Sequence, residues 1–419
     1  VLASVYIKMG QYNDAIAIAT TATEINKLFE PAWEQLALAY EAMGNVKIAI
    51  EKYHYLLSIN AGNILALNNI SNLLISVGEI KTAKLLLNKL LLIAPGEASA
   101  YNNLGNAMLQ SDNLQEAACY FTKAYELNKD FLLALLNLAI TQRADKQYVQ
   151  AIKNYEQILS VKKGVVSSLS QEDNILQQAV VGLAICYVET CSWEKLKNIK
   201  TDYMALIANS LQLGQQLIIN PFESLILKLP VDLHKKILTK WSDDNLARIN
   251  NVLSVGQSNN AIKTSNKIRI GYLSANFGKH PVGLLLNNLF SHHNKLEFEV
   301  HVFSIKKYIN DDLANTIQQS SENFYDVSEL SDQELITLIK SRNIDVLVDL
   351  TGIGTLSRHL VVRAKPAPVQ INWLGYASSQ GNPAIDYFVT TKEVVDNIGS
   401  QFTEQMLYLP DTLIAVDVN

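Results

Sequence analysis

Residues 267–281 read KIRIGYLSANFGKHP: an apolar, strand-like run passes directly into a polar loop and then into a helical pattern. The run from Lys267 to Ser274 has the composition of a buried strand, and the loop after it carries His280 immediately before Pro281. In an open sheet of parallel strands, ligands bind beyond the carboxyl ends of the strands. An imidazole on this loop is therefore placed to exchange a proton with a bound substrate near neutral pH.

Further strand-like runs follow along the second half of the chain, and helical patterns separate most of them. The runs cover residues 298–305, 345–350, 369–374 and 387–390, and the helical patterns cover 283–291, 311–320 and 331–342. This alternation predicts a parallel, Rossmann-like sheet. Gly352-Ile353-Gly354 is similar to the start of a dinucleotide fingerprint, but Ser357 stands at the third glycine position. We therefore interpret these glycines as a plain turn.

The composition limits the partners and the compartment. A chain of 419 residues has room for two or three domains at about 150 residues each. A formal charge of −5 and a pI near 5.9 argue against a general nucleic-acid or anionic-membrane surface, which needs a basic excess. The cysteines, Cys119, Cys186 and Cys191, form no metal-binding spacing. We expect no metal site and a reducing compartment, the cytoplasm.

The first half of the chain repeats with a period of 34 residues. A period of this length predicts two helices per repeat, with a glycine ending the first helix in a left-handed conformation. Stacked repeats of this kind form a superhelix with a concave face that binds extended peptides. The in-phase residues are Ala15, Ala49, Ala83, Ala117 and Ala151, with Gly10, Gly44 and Gly78.

These patterns divide the chain into four predicted regions. Repeats occupy residues 1–165, a degenerate repeat with a helical connector 166–253, a polar linker 254–266, and an α/β lobe 267–419. The predicted fold class is an α superhelix of helical repeats followed by a Rossmann-like α/β lobe.

A second in-phase set consists of side-chain amides, which do not belong in an apolar seam. Its members are Gln35, Asn69, Asn103 and Asn137, all on the first helix of their repeats. We predict that they line the inner surface and hydrogen-bond the backbone of an extended peptide regardless of its sequence. The alternative is that they are ordinary solvated residues on an open face.

Taken together, the motifs resemble a known family. The helical repeats resemble the tetratricopeptide repeat. IRIGYLSANFGKHPVG at 268–283 is similar to a strand followed by S-x-D-F-x-x-H-P, and AKPAPVQINWLGYASSQG at 364–381 is similar to R-P-A-P-x-Q-x-x-W-L-G-Y-P-G-T-S-G. With NPFESL at 220–225 and YLPDT at 408–412, these motifs follow the order seen in protein O-linked N-acetylglucosamine transferases and SPINDLY-type proteins. The bacterial members are the most similar.

The resemblance implies a fold and an activity. It implies the N-terminal half of a GT-B catalytic region, in an inverting, metal-independent enzyme that moves a sugar from a nucleotide diphosphate to Ser or Thr of target proteins. UDP-GlcNAc is the implied donor, and no other cofactor is expected. His280 matches the active-site histidine, with Pro281 and Val282 beside the sugar and acceptor. Residues Leu374, Gly375 and Tyr376 match the loop that contacts the sugar.

Several positions depart from the family pattern. Asn276 stands where the family has an aspartate, which excludes a carboxylate base there, and Ala377, Ser379 and Gln380 replace the family's proline, threonine and serine. A further family histidine corresponds to Phe222 or Glu223. The chain also stops before the second lobe, where the family carries a donor-binding lysine. We therefore expect an incomplete piece of the enzyme that turns over little alone.

Two alternatives remain open from the sequence. One is a peptide-binding repeat scaffold whose α/β lobe has no catalytic role. The other keeps the enzyme class with another donor, such as GDP-fucose. In each case the expected partners are proteins or peptides on the concave repeat face, without nucleic acid or membrane, and homo-oligomerisation through the repeats stays open.

Overall fold

The computed structural model of the protein describes residues 1–111, 113–161, 171–214, 217–253, 266–354, 356–395, 402–410 and 412. The chain divides into two compact units, Val1–Tyr203 and Met204–Asn419. The predicted linker at 254–266 lies outside the described residues except for Asn266. No helix in the described ranges is both long enough and apolar enough to cross a membrane.

The first unit is built from antiparallel helix pairs, and it confirms the predicted repeats. Each in-phase alanine lies on the second helix of its pair and is completely buried. Because the alanine side chain is small, the neighbouring helix can pack closely against it, as close-packed helix pairs require. The helices are α1 (Leu2–Lys8), α2 (Tyr12–Ile25), α3 (Glu30–Ala42), α4 (Val46–Ile59), α5 (Ile64–Ser76), α6 (Ile80–Ile93), α7 (Ala98–Gln110), α8 (Leu114–Leu127), α9 (Leu132–Ala144), α10 (Tyr148–Val161) and α11 (Gln171–Glu189), followed by α12 (Trp193–Gln212).

The turn inside each repeat requires a left-handed residue. Gly10, Gly44 and Gly78 have φ angles of 74°, 77° and 86°, as predicted. Lys146 holds the same position in the fifth repeat with a φ of 59°, and Cys191 has a φ of 52°. Cys191 follows Lys146 by 45 residues, which is 11 more than the period. A sixth repeat unit therefore follows an insertion.

The second unit begins with helices and continues as an α/β lobe. Helix α13 (Pro221–Ile226) starts at a capping box made by Asn220 and Glu223. Helix α14 (Val231–Leu253) packs against the later helices α17 (Asp332–Ser341) and α18 (His359–Arg363). The other helices are α15 (Pro281–Leu286), α16 (Asp312–Ser320) and α19 (Lys392–Val395). The predicted helix at 283–291 is shorter than expected, because a 3-10 turn at Leu289–Ser291 replaces its end.

The described residues form one sheet of seven parallel strands, which are β1 (Ile268–Ser274), β2 (Phe298–Ser304), β3 (Asn323–Asp326), β4 (Val346–Asp349), β5 (Val369–Asn372), β6 (Tyr387–Thr390) and β7 (Gln405–Tyr408). Their order in the sheet is β3-β2-β1-β4-β5-β6-β7. All five predicted strands are present. The two missed strands, β3 and β7, are the short edge strands, and neither contains a fully buried residue.

The strand order changes direction between β1 and β4. Strand β1 pairs with β2 on one side and with β4 on the other, and both pairings are parallel. The loops that leave the carboxyl ends of β1 and β4 therefore diverge to opposite faces and open a crevice between them. The loop with His280 follows β1, so the structure confirms a parallel sheet with this loop at its carboxyl edge.

Candidate active site

His280 stands at the start of helix α15 and caps it. Its Nδ1 accepts a hydrogen bond from the N–H of Val282 at 3.2 Å, while Pro281 occupies the first helical position. A nitrogen that accepts a hydrogen bond carries a lone pair, so the proton of the neutral ring lies on Nε2. The His280 side chain is exposed, and Val282 is buried. His280 thus presents an Nε2–H donor to solvent.

The loop that carries His280 is fixed by the segment between β2 and α16. The hydroxyl of Tyr308 donates to the carbonyl of Ala275, and Asp311 Oδ2 accepts from the N–H of Lys279 at 2.9 Å. That N–H holds the pKa of Asp311 below its usual range. A Cβ at Gly278 would lie 2.3 Å from the Tyr308 ring, so only glycine fits there. These contacts set the direction in which the loop delivers His280.

The loop after β4 is organised by the buried carboxylate of Asp349. Oδ1 accepts from the backbone N–H of Thr351 at 3.0 Å and of Gly352 at 3.1 Å, and Oδ2 accepts from Gln380 Nε2 at 3.0 Å. Burial raises the pKa of Asp349, and the three donors oppose that shift. Gly352 has a φ of 62° and belongs to this turn, which agrees with its interpretation as a turn residue.

Two close contacts connect the loops after β1, β4 and β5. Thr351 Oγ1 accepts from the N–H of Ala275 at 3.0 Å, which joins the first two loops. A Cβ at Gly375 would lie 1.9 Å from the carbonyl oxygen of Leu350, so the third loop rests directly on the second. The structure therefore brings the His280 loop and the Leu374–Tyr376 loop onto the same short segment, 350–351.

The three predicted sugar-loop residues differ in exposure. Leu374 is half-buried with a φ of 63°, and Gly375 is exposed. Tyr376 is 3% exposed, and its hydroxyl makes no hydrogen bond within the described residues. Burial raises the pKa of Tyr376, so the phenol stays protonated at neutral pH. The apolar residues around the Tyr376 ring are Leu238, Ile353 and Trp241.

Two of the departures from the family pattern point into the protein. Ser379 and Gln380 are 2% and 1% exposed. Ser379 Oγ donates to Glu404 Oε2 at 2.7 Å, and the N–H of Gln380 donates to Glu404 Oε1 at 2.8 Å. Ser379 and Gln380 hold the loop to Glu404 on its buried side, so their identity affects the conformation of the loop. Ala377 is exposed.

A histidine that the sequence did not single out contacts the same loop. His234 on α14 lies with Nδ1 2.6 Å from Ser224 Oγ and with Nε2 3.3 Å from Ser378 Oγ. Ser224 Oγ donates its own proton to the carbonyl of Pro221 at 2.6 Å. Burial lowers the pKa of His234, so its ring is neutral at pH 7.

The family histidine that corresponds to Phe222 or Glu223 has no equivalent at either position. Phe222 is 49% exposed, and Glu223 accepts the N–H of Asn220 as part of the capping box. His234 is separated from Ser378 by 144 residues, and no sequence spacing relates them. The one available signal was its place on a helix that follows the NPFESL motif.

The predicted residues also share an apolar base. Val282 and Leu374 belong to one cluster, although they lie 92 positions apart in the chain. Asn276 is half-buried, and its backbone N–H donates to Ser274 Oγ at 2.9 Å. The other buried members of the cluster near the carboxyl edge are Phe277, Leu350 and Trp373.

The in-phase amides of the first unit are hydrogen-bonded within the protein. Each asparagine of the set donates one N–H, and Asn103 is buried at 7% exposed, so the solvated-surface alternative does not describe it. Gln35 is half-buried. The bonds run from Asn69 Nδ2 to Tyr53 Oη at 3.0 Å, from Asn103 Nδ2 to Asn68 Oδ1 at 3.0 Å, and from Asn137 Nδ2 to Asn102 Oδ1 at 2.9 Å.

Family models match both parts of the chain. The model for glycosyl transferase family 41 matches residues 190–419, which include every loop described above. The tetratricopeptide repeat model matches residues 1–27 and 98–131.

Similar proteins carry related names. The chain is 31% identical over 145 residues to the probable UDP-N-acetylglucosamine–peptide N-acetylglucosaminyltransferase SEC of Arabidopsis thaliana, a match that covers 34% of this chain and 15% of that protein. It is 27% identical over 159 residues to the UDP-N-acetylglucosamine–peptide N-acetylglucosaminyltransferase of Caenorhabditis elegans, covering 38% and 14%. The chain thus spans about a seventh of the length of these relatives.

One similar solved structure is a mutant of the Thermobaculum terrenum O-GlcNAc transferase. It is 20% identical to this chain, covers 92% of this chain and 58% of its own, and superposes with a TM-score of 0.41.

Proposed function

The chain belongs to glycosyl transferase family 41, and from this membership we propose that it acts in protein O-glycosylation, by transfer of a sugar from a nucleotide diphosphate to Ser or Thr hydroxyls. The observation that carries the proposal is the convergence of two family motifs on one crevice. The loop with His280 and the loop with Gly375 both contact residues 350–351, at the point where the strand order changes direction.

His280 is the proposed catalytic residue. Its Nε2–H donates a hydrogen bond to an oxygen of the sugar or of the acceptor, and this bond orients the acceptor hydroxyl toward the anomeric carbon. The N–H of Val282 keeps Nδ1 an acceptor, so Nε2 stays a donor throughout. Pro281 and Val282 border the same position. This role differs from that of a free general base, because a base needs an unprotonated nitrogen facing the substrate.

The loop of Leu374, Gly375 and Tyr376 is the proposed sugar-binding wall. Gly375 is exposed and lacks a side chain, so a ligand can approach its backbone closely. Leu374 holds a left-handed conformation and shares an apolar cluster with Val282, which fixes the spacing of the two walls. Tyr376 anchors the loop in the interior.

The reaction we propose is inverting and metal-independent. The acceptor oxygen attacks the anomeric carbon from the face opposite the nucleotide diphosphate, and its proton passes to the departing diphosphate. The bond to the diphosphate breaks, and the diphosphate leaves with the electron pair. UDP-GlcNAc is the favoured donor because the similar proteins carry it in their names. GDP-fucose is the second candidate, since the residues that would contact the nucleotide base are not identified in this chain.

The repeats are proposed to hold the acceptor protein. Asn69, Asn103 and Asn137 each donate one N–H between helices, which leaves the second N–H of each asparagine to bind an extended backbone on the concave face. All three cysteines are free thiols, which supports a reducing compartment, and we propose the cytoplasm. Self-association through the repeats is compatible with this arrangement.

A donor screen tests the proposed function. The full-length gene product is incubated with UDP-GlcNAc, GDP-fucose and other nucleotide sugars, with a Ser/Thr peptide as acceptor. We expect transfer from UDP-GlcNAc and a loss of kcat/KM by about 100-fold or more in His280→Ala. His292→Ala, which changes an exposed histidine outside these loops, serves as the matched control. A His280→Ala variant with kcat/KM within a few-fold of wild type would exclude the proposed role of His280.

The scaffold alternative makes a different prediction. A repeat scaffold with a non-catalytic lobe would bind acceptor proteins and transfer no sugar from any donor. Binding of acceptor peptides by the 1–419 chain, together with no transfer from any donor in the screen, would favour the scaffold over the enzyme.

A further inference from the structure

The bonds around His234 determine which of its nitrogens carries the proton. Ser224 Oγ has one proton, and that proton goes to the carbonyl of Pro221 at 2.6 Å. Toward His234, Ser224 Oγ can therefore only accept, so Nδ1 of His234 is the donor in the 2.6 Å contact. A neutral ring with its proton on Nδ1 has a lone pair on Nε2. His234 thus holds the tautomer opposite to that of His280.

The lone pair on Nε2 faces the hydroxyl of Ser378 at 3.3 Å, so Ser378 donates to His234. Ser378 lies three residues after Gly375 and is half-buried. Its backbone carbonyl accepts from Asn372 Nδ2 at 3.3 Å, and the same amide donates to the carbonyl of Tyr376 at 3.4 Å. The loop is therefore held at two points. Asn372 on β5 bonds its backbone carbonyls, and His234 on α14 bonds the side-chain hydroxyl of Ser378.

Helix α14 is itself well placed to hold the loop. Leu238, one turn after His234, packs with Tyr376, and a Cβ at Gly381 would lie 2.8 Å from the Leu238 side chain. Ser224, which orients the imidazole, is buried at 1% exposed on α13. The imidazole of His234 is thus held by Ser224 through Nδ1 and bonds the hydroxyl of Ser378 through Nε2.

We propose that His234 is a positioning residue for sugar transfer. By accepting a hydrogen bond from the Ser378 hydroxyl, His234 holds the Leu374–Ser378 segment against α14. This bond leaves the lone pairs of Ser378 Oγ to accept from a hydroxyl or amide N–H of the bound sugar. The role in transfer rests on the proposed function. The tether itself is a property of this chain alone, since it requires no ligand.

The tautomer is tested first, without any activity measurement. The 1–419 chain is labelled with ¹⁵N-histidine, and the His234 signals are identified by their loss in His234→Asn. We expect a protonated Nδ1 and an unprotonated Nε2 at neutral pH, with the Nε2 signal shifted in Ser378→Ala. A protonated Nε2, or an Nε2 signal that Ser378→Ala leaves in place, would overturn the tether.

Two conservative variants then separate positioning from support of the fold. An Asn side chain at 234 can replace the Nδ1 donor to Ser224 and cannot reach Ser378, whereas a Gln side chain can place an amide oxygen near the former Nε2. In the full-length gene product we expect His234→Asn to keep the wild-type melting temperature and lose about tenfold in kcat/KM for the donor. His234→Gln should recover activity to within about threefold of wild type.

A double-mutant cycle completes the test. His234→Asn combined with Ser378→Ala should lose no more than either single variant, because both remove the same bond. Losses that multiply, or a His234→Asn variant with wild-type kinetics, would overturn the positioning role. If the wild-type protein transfers no sugar from any donor, the proposed function fails, and the ¹⁵N measurement alone decides the tether.

Discussion

Gln380 donates its side-chain N–H to Asp349 at 3.0 Å and thereby ties the loop after β5 to the carboxyl end of β4. The other oxygen of Asp349 accepts two backbone N–H groups of its own loop. One buried carboxylate therefore sets the relative position of both loops. In the family motif a serine stands at position 380, and its shorter side chain cannot make this contact.

Asp349→Asn should destabilise the second unit. The asparagine replaces one carboxylate oxygen by an NH2 group, which must face either the N–H groups of residues 351–352 or the amide of Gln380. We expect a loss of about 1–3 kcal/mol in the free energy of unfolding, measured by urea denaturation. Asp312→Asn, an exposed position, should change it by less than about 0.5 kcal/mol. Equal values for the two variants would contradict the organising role of Asp349.

The buried His301 makes stability depend on pH. His301 is 3% exposed, and burial lowers its pKa, while Glu299 at 3.0 Å opposes the shift. The unfolded chain then binds a proton at higher pH than the folded one, so the His301 contribution to stability is lost as pH falls below about 6.5.

The measurement compares unfolding free energies of wild type and His301→Gln at about pH 7.5 and about pH 5.5. The wild type should lose more stability between the two conditions than the variant does. A variant with the same or a larger loss would show that the neutral form of His301 is not favoured by folding.

Gly375→Ala tests the contact between the second and third loops. The new Cβ would lie 1.9 Å from the carbonyl oxygen of Leu350, a backbone atom that cannot move alone. We expect a loss of about 1–3 kcal/mol in stability and a shifted sugar loop with little remaining transfer. Gly354→Ala is the matched control, because a Cβ there meets nothing within 4 Å. Comparable losses of stability in the two variants would show that the contact between Gly375 and Leu350 does not determine the effect of Gly375→Ala.

The sequence predicted those features that local patterns carry. The 34-residue phase located helices and their buried alanines, and the alternation of strands and helices located the sheet and the loop of His280. The edge strands β3 and β7 escaped prediction because strands without a fully buried residue have no clear apolar run. His234 and Glu404 escaped it for another reason. Each contacts the loop after β5 across a long sequence separation, and the side chains meet only after the helices and sheet have packed.

We expect variants of the repeat asparagines to separate acceptor binding from the stability of the repeats. Asn103 and Asn137 each donate one N–H to an asparagine of the preceding repeat, at 3.0 and 2.9 Å. A triple variant with alanine at Asn69, Asn103 and Asn137 lacks these bonds and the remaining amide groups. Replacing Asn68 and Asn102 removes the same two bonds, as well as the bond from Ser99 Oγ to Asn68 at 3.1 Å, and keeps the proposed ladder, which makes it the matched control. Both changes should cost about 1 kcal/mol of stability for each bond lost.

Only the triple variant should weaken binding of acceptor proteins, by about tenfold or more, because it alone removes the groups proposed to bind the peptide backbone. Transfer to short peptides that reach only the crevice should stay at the wild-type rate in both variants. Binding is measured by calorimetry with the 1–419 chain, and transfer with the full-length gene product. If the control variant weakens acceptor binding as much as the triple variant does, the in-phase amides serve to join the repeats, and the peptide contacts lie elsewhere on the first unit.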